Sequence, residues 1–257
     1  MADEVKIWNK VLASAMALPG VKVNRREFLT HTLLPYCEKE ELNAIINGEK
    51  PVTFLSLDDI DKLVDGCIRY QIAKVTTASA IAGFPGGWAL IATIPADMAQ
   101  YYYHIFVLSQ KMAYLYGFPD LIDEKGCLSE DAQNTLTLFT GVMQGSSTAN
   151  EAIQELAKSI AEQTLKQLPK YALTKTVIHT MVKQVAKWIG INMTKGTFTR
   201  TAFKVFPLIG SVFSATFTYS TFLSGAKNLK QSLHDCALIM IRPKRATESE
   251  NVDFVEE

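Results

Sequence analysis

The chain has 257 residues, of which 48% are hydrophobic and 20% charged, with 26 basic and 26 acidic side chains. This length and composition fall inside the globular range and allow a substantial core. The acidic N-terminus lacks the apolar stretch of a secretory signal, and no Cys-x-x-Cys pair occurs, so we expect reduced thiols in a cytosolic compartment. A disulfide framework and a zinc site are thereby excluded. The four cysteines are Cys37, Cys67, Cys127 and Cys236.

The zero net charge hides a strong segregation along the chain. Residues 1–157 carry 12 basic and 19 acidic side chains, whereas residues 158–245 carry 14 basic and 2 acidic ones. Residues 246–257 carry five acids and no base, and we expect them to form a disordered acidic tail. The segregation predicts an anionic partner for the basic half, contact between the two halves, or both.

Nearly every segment has helical periodicity and helical punctuation, and none alternates with period two over a useful length. Asn24 and Glu27 form a capping-box pattern, and Ser56 gives a weaker start signal. We therefore predict an all-α fold, a compact multi-helix bundle forming one domain over residues 1–245. The predicted helices are residues 3–18, 24–36, 38–47, 56–82, 88–116, 129–144, 150–168, 174–189 and 193–241, with a restart or kink at 93–95, a stop at Gly190 and an interruption at Pro207.

Two central windows of 22 residues, 75–96 and 205–226, contain no formally charged side chain. Their length matches a bilayer-spanning helix of about 20 residues, but glycine and proline break both windows. In the first window each arm spans about 15 Å, half of the hydrocarbon core. Two interpretations remain open: a buried helix-turn-helix, and a hairpin that dips into one leaflet with Phe84 and Trp88 near its tip. A full span is the least favoured interpretation, because the Asp97 charge would be costly in lipid.

A cationic stripe follows one side of the predicted helix at 174–189, opposite an apolar face. Lys175, His179, Lys183 and Lys187 recur every four residues. This pattern is typical of membrane-surface helices and also of bundle helices with a solvated basic side. Each lysine near an anionic bilayer contributes about 1 kcal/mol. The residues predicted to contact a membrane or another anionic partner are Phe84, Trp88, Lys175, His179, Lys183, Lys187, Lys195, Arg200 and Lys204.

One polar constellation adjoins the first window. Asp97, Tyr101 and His104 have spacings that place them on one helical face, where they could perform acid–base chemistry or form a buried hydrogen-bond network. They are weak catalytic candidates. Phosphate-binding loops, His-x-x-x-His pairs and nucleic-acid-binding modules do not occur, so we predict no cofactor, no metal and no nucleic-acid partner.

Residues 78–117 combine a run of small residues, a Gly-Gly break, the run Ile94-Pro95-Ala96-Asp97 and the run Tyr116-Gly117-Phe118. This pattern resembles the bacterial EcsC family. The run Lys-Val-Phe-Pro-Leu-Ile-Gly at 204–210 is similar to the C-terminal part of that family. The resemblance covers most of residues 55–240 and leaves residues 1–50 unmatched. It implies a helical bacterial protein associated with membranes and transport, with no known reaction.

Together these observations favour a non-enzymatic, EcsC-like protein of undefined molecular activity at the cytoplasmic membrane surface. Its partner would be anionic lipid or a membrane protein, contacted through the basic C-terminal half. The first alternative is a small-molecule or lipid-handling enzyme that uses Asp97, Tyr101 and His104. The second is a soluble scaffold that forms homo-oligomers through its oppositely charged halves.

Overall fold

Helices make up almost all of the regular structure in the computed structural model, which describes residues 3–78, 96–122, 128–161, 176–203 and 210–241. Within these ranges no β-strand forms, and a single bridge joins Ile122 to Leu128. The predicted all-α bundle is therefore confirmed. The helices are α1 (Asp3–Met16), α2 (Arg25–Leu33), α3 (Lys39–Ile46), α4 (Leu57–Ala78), α5 (Ala96–Leu115), α6 (Glu130–Met143), α7 (Ser147–Ala161), α8 (Thr176–Phe203) and α9 (Gly210–Ile241), with a 3-10 turn at Pro51–Thr53.

Side-chain caps fix several helix starts where the sequence predicts them. Asn24 accepts a hydrogen bond from the Glu27 amide at 3.0 Å, and Ser129 accepts one from the Ala132 amide at 3.1 Å. Ser56 caps α4 in the same way, with its hydroxyl oxygen 3.1 Å from the Asp59 amide nitrogen. Each cap satisfies an amide that has no partner within its own helix. These starts depend on local chemistry alone.

The predicted helix stop at Gly190 is wrong, because α8 continues through this residue to Phe203. The reason is a close helix crossing: a methyl group at position 190 would overlap the Glu4 carbonyl of α1, with the carbonyl carbon only 2.7 Å away. The glycine therefore serves packing between helices and does not end one. The start of α7 also differs, since this helix begins at Ser147 and the prediction placed it at residue 150.

Three helices form a layer at the centre of the fold. Asp61 and Gln71 of α4 pair with Tyr116 and His104, so α4 and α5 run antiparallel. Because Asp61 and Asp65 pair with His234 and Lys230 of α9, α9 is antiparallel to α4 as well and parallel to α5. The α5 helix lies between the other elements and is buried along most of its second half.

The remaining long helices complete one hydrophobic cluster around this layer. In α1 the fully buried Trp8 ring packs edge-on against Tyr102 and Phe106 of α5. The α6 helix contacts α9 closely at Gly225, where an added methyl group would lie 2.6 Å from the Met143 carbonyl oxygen. A hydrogen bond of 2.6 Å from Ser232 to the Asn150 side chain joins α9 to α7. The buried residues of all these helices belong to a single core cluster.

Several predicted features lie outside the described residues. These are the break at 83–87, the restart at 93–95, the interruption at Pro207, and the acidic tail at 246–257. Over the part of the chain that is described, none of the helices combines the length and hydropathy needed to span a membrane. Cys37, Cys67 and Cys236 are free thiols, and Cys127 falls among the residues that are not described.

Candidate functional site

Described residues of both uncharged windows lie at one end of the α4–α5–α9 layer. Since α5 is antiparallel to α4 and parallel to α9, the last residue of α4 lies at the same end as the first residues of α5 and α9. We call this end, formed by Ala78, Ala96 and Gly210, the window end. The connection between α4 and α5 starts and finishes there. The described flanks of both windows are therefore neighbours in space, although the windows lie more than a hundred residues apart in sequence.

The α9 helix extends past its neighbours at the window end. Its Phe222 ring packs edge-on against Tyr101 of α5, with ring centroids 6.0 Å apart. At 1.5 Å per residue, α9 runs about 18 Å from Phe222 back to Gly210, whereas α5 runs only about 8 Å from Tyr101 back to Ala96. The first turns of α9 thus project roughly 10 Å beyond the start of α5. These turns belong to the second uncharged window.

The three weak catalytic candidates do not share one set of contacts. Asp97 lies in the first turn of α5, but its side chain is outside the described part of the structure. Tyr101 packs on Phe222 of α9. His104 faces α4 instead, is 6% exposed, and has its Nδ1 atom 2.6 Å from the Gln71 Nε2 atom. Both described members of the trio therefore contribute to contacts between helices.

His104 is held in its neutral form at physiological pH. Burial and, to a smaller extent, the Lys74 charge lower the pKa of His104 from 6.5 to about 4. With the Gln71 amide as donor, Nδ1 accepts and the ring carries its proton on Nε2. The edge of the Tyr103 ring covers the imidazole, with centroids 5.1 Å apart. The surroundings thus favour a structural polar contact between α4 and α5.

We expect a His104→Gln variant to flatten the stability profile on its acid side. Below pH 6.5 this histidine becomes protonated in the unfolded chain, whereas in the folded chain it stays neutral until about pH 4. The free energy of unfolding therefore decreases as the pH is lowered and levels off below about pH 4. The wild type should lose about 2 kcal/mol more than the variant between pH 7 and pH 5. Urea unfolding at several pH values measures this difference, and the exposed His31→Gln serves as the control. Equal slopes in the wild type and His104→Gln would contradict the assignment.

The cationic stripe on α8 lies on the solvent side of the helix where it is described. His179 and Lys183 are exposed, and Lys187 is half-buried and close enough to Glu4 for their charges to interact. The opposite face packs into the core through Ile178, Val182, Val185 and Ile189. The side chains of the other predicted contact residues lie outside the described part of the structure; they are Phe84, Trp88, Lys175, Lys195, Arg200 and Lys204.

A polar network between the two halves of the chain was missed by the sequence reasoning. The Tyr116 hydroxyl donates to Asp61 at 2.6 Å, and His234 Nδ1 lies 3.2 Å from the same carboxylate oxygen. Lys230 pairs with Asp65 at 2.8 Å and lies 3.7 Å from Asp61. Burial alone would raise the pKa of Asp61, but the Tyr116 and His234 hydrogen bonds and the Lys230 charge hold it below its usual value. Acids of one half thus neutralise bases of the other.

A second missed cluster surrounds the exposed ring of Tyr70 on α4. The Lys74 ammonium lies 4.6 Å from the centre of this ring, and the Lys111 ammonium of α5 lies 5.4 Å from it. Lys111 also lies 5.5 Å from the Phe28 ring of α2. The i, i+4 spacing of Tyr70 and Lys74 was the one sequence signal available. Lys111 could not be placed from sequence, because it comes from another helix.

An open cleft lies elsewhere in the molecule. It has a volume of about 320 Å³ and lies between the turn at residues 145–148 and the α8 side chains Gln184 and Trp188. Neither Tyr101 nor His104 lines this cleft. Among the described side chains, no group of three or more His, Cys, Asp or Glu residues is arranged to hold a metal ion.

The fold defines the chain as an all-α bundle with a cationic surface helix. Comparison of the chain with protein-family models, with curated proteins and with solved structures gave no match in any of the three. The functional assignment therefore depends on the site geometry and on the sequence resemblance described above.

Proposed function

We propose that this chain is a non-enzymatic, EcsC-like protein that associates peripherally with an anionic membrane on the cytoplasmic side. The observation that carries the proposal is the window end. There the described flanks of both uncharged windows lie at the same end of the bundle, which supports a single membrane-facing surface built from the two longest uncharged stretches of the sequence. Such a concentration of apolar sequence at one pole is typical of a membrane-facing surface.

The connection between α4 and α5 adds an anchor to this orientation. Phe84 and Trp88 belong to this connection, and aromatic side chains are favoured at the boundary between lipid and water. In the proposed orientation the projecting first turns of α9 face the bilayer. The association is shallow, because the carboxylate of Asp97 remains outside the hydrocarbon.

The α8 helix contributes to the association through charge alone. Between Ile178 and Met193 its apolar face is buried against the core, so inserting that face would require this part of α8 to leave the bundle. The exposed His179 and Lys183 remain free to approach anionic headgroups. Because each lysine near such a surface contributes about 1 kcal/mol, the stripe tunes membrane affinity without determining it alone.

We expect the purified protein to float with vesicles of phosphatidylcholine and phosphatidylglycerol at low salt and to dissociate as salt rises. Lys183→Gln should weaken binding about fivefold, and Phe84→Ser with Trp88→Ser should weaken it more. Lys158→Gln is the matched control, because Lys158 is exposed on α7 and paired with Glu155 at 2.6 Å. Protein that stays unbound on anionic vesicles at low salt would refute the proposal.

The enzyme alternative has less support than the membrane proposal. His104 is buried and engaged with Gln71, and Tyr101 packs against Phe222. The scaffold alternative requires charges that remain available for a second copy. Part of the complementary charge is already used within the chain, since Asp61 and Asp65 pair with His234 and Lys230. No described contact favours either alternative over membrane association.

A further inference from the structure

We propose that Tyr70, Lys74 and Lys111 form a binding site for a phosphate group, which we call the Tyr70 clamp. The clamp lies in the acidic half of the chain, where the charge distribution predicts no anion site. A phosphate site also implies a specific ligand, which membrane association alone does not require. The site stands without the proposed function, and only the choice of a lipid headgroup as the source of the phosphate depends on it.

The clamp is built by three helices around one exposed ring. Tyr70 is 54% exposed, and ammonium groups from α4 and α5 lie 4.6 and 5.4 Å from the centre of its ring. The Lys111 stem is half-buried, and its ammonium also contacts the Phe28 ring of α2 at 5.5 Å. Cation–π contacts at these distances restrain the two lysine side chains. Two positive charges are thereby held beside one solvent-exposed hydroxyl group.

The Tyr70 hydroxyl completes a set of three donors. A hydrogen bond from Lys74, together with the Lys74 charge, lowers the pKa of this phenol. Because the phenol oxygen accepts from the ammonium, its own proton remains available to a ligand. A more acidic phenol is also a stronger donor. Two ammonium groups and one hydroxyl group match the oxygens of a phosphate, for which lysine acts as a point-charge partner.

The electrostatic environment of Lys111 favours an anion. Across the described ranges, Lys111 makes no ion pair. Three titratable groups that interact with the clamp lysines are uncharged at neutral pH: burial raises the pKa of Cys67 and of Tyr103, and His104 has a pKa of about 4. In the Asp61 network, by contrast, carboxylates already surround Lys230. A bound phosphate would relieve the repulsion between the two clamp lysines.

The clamp lies close to the window end. Lys74 and Tyr70 precede the last residue of α4, Ala78, by about one and two helical turns, which correspond to about 6 and 12 Å along the axis. If the window end contacts the bilayer as proposed, the clamp lies on the headgroup side of the apolar boundary.

The test measures phosphate binding in solution and on vesicles with the same set of variants. The protein is titrated with inorganic phosphate and with glycerol 3-phosphate at constant ionic strength. Isothermal titration calorimetry measures the affinity of every variant, and the Tyr70 resonance of ¹³C-labelled tyrosine rings locates the site in the proteins that retain Tyr70. Lys74→Gln and Lys111→Gln should each weaken binding about fivefold, and Tyr70→Phe about threefold. Lys62→Gln is the matched control, because Lys62 is exposed on the same helix and paired with Asp59 at 2.8 Å. This control should bind phosphate like the wild type.

The vesicle arm identifies the source of the phosphate. Vesicles of phosphatidylcholine with phosphatidic acid are compared with vesicles in which oleate supplies the negative charge. Lys111→Gln should lower binding to the first and leave binding to the second unchanged if the ligand is a headgroup. If Lys111→Gln weakens the binding of soluble phosphates and leaves the binding of both kinds of vesicle unchanged, the ligand of the clamp is a soluble phosphate compound. If no vesicle binds while phosphate does, the membrane proposal fails and the clamp stands.

Two results would overturn the clamp itself. One is equal phosphate affinity in the wild type, Lys74→Gln and Lys111→Gln, which would show that the lysines contact no ligand. The other is an equal loss in Lys62→Gln, which would reduce the effect to general surface charge. Thermal melting of each variant checks the fold, and these exposed or half-buried substitutions should leave the melting temperature nearly unchanged.

Discussion

Replacing Gly190 with alanine is expected to lower the free energy of unfolding by about 3 kcal/mol. The new methyl group would occupy the space of the Glu4 carbonyl, whose carbon lies 2.7 Å from the added atom. A backbone carbonyl cannot rotate away as a side chain does, so α1 and α8 must move apart. The higher helix propensity of alanine returns only about 1 kcal/mol of this loss.

Gly66→Ala supplies the matched control for this prediction. Gly66 also lies inside a helix, but the nearest atom to an added methyl group there is the Arg69 side chain at 4.0 Å. The substitution should therefore stabilise the protein by about 0.5–1 kcal/mol, because it reduces the freedom of the unfolded chain. Urea unfolding followed by circular dichroism measures both variants. A Gly190→Ala protein as stable as Gly66→Ala would contradict the close crossing of α1 and α8.

Gly190 also shows where reasoning from sequence reaches its limit for the fold. Helix starts at Asn24 and Ser129 are predictable because a cap and its amide lie three residues apart. A glycine in a helical segment can either end the helix or allow a close contact with another helix, and the local sequence contains no information that separates these two roles. The meaning of Gly190 depends on Glu4, which lies in a helix at the other end of the chain.

The same limit applies to the candidate site: features of a single helix can be predicted from the sequence, whereas contacts between helices cannot. Helical periodicity correctly predicts that His179 and Lys183 share the exposed side of α8, because both lie on one element. The contacts from Asp61 to His234 and from Tyr70 to Lys111 join different helices, so their register cannot be read from spacing. A partial signal exists, since Asp61 and Asp65 on one helix and Lys230 and His234 on another are complementary i, i+4 pairs.

The contacts between helices change how the segregation of charge along the chain is interpreted. The contact between halves that the sequence left open exists, because Asp61 and Asp65 lie against Lys230 and His234. The charges used there are unavailable to an external partner. The cations that remain accessible in the described structure include Lys183 on α8 and the Tyr70 clamp lysine Lys111. An anionic partner would therefore meet a surface drawn from both halves of the chain.

Replacing Trp8 with alanine is expected to cost about 3–5 kcal/mol, the largest effect that we predict for a single side chain. Trp8 is fully buried, and its ring packs edge-on against Tyr102 and Phe106 at centroid distances of 5.4 and 6.2 Å. Its Nε1 atom donates to the Thr137 hydroxyl at 3.0 Å, which connects α1 to α6. Removing the ring would leave a cavity where α1, α5 and α6 meet.

Two further variants separate the packing of Trp8 from its hydrogen bond. Thr137→Val removes the acceptor and leaves the indole N–H buried, so it should cost about 1–3 kcal/mol. Val177→Ala, at a position that is 67% exposed, should change stability by less than about 0.5 kcal/mol. Urea unfolding monitored by far-ultraviolet circular dichroism compares the three proteins. A Trp8→Ala loss no larger than that of Val177→Ala would mean that α1 does not pack on the central layer, and the joint core of α1, α5 and α6 would have to be abandoned.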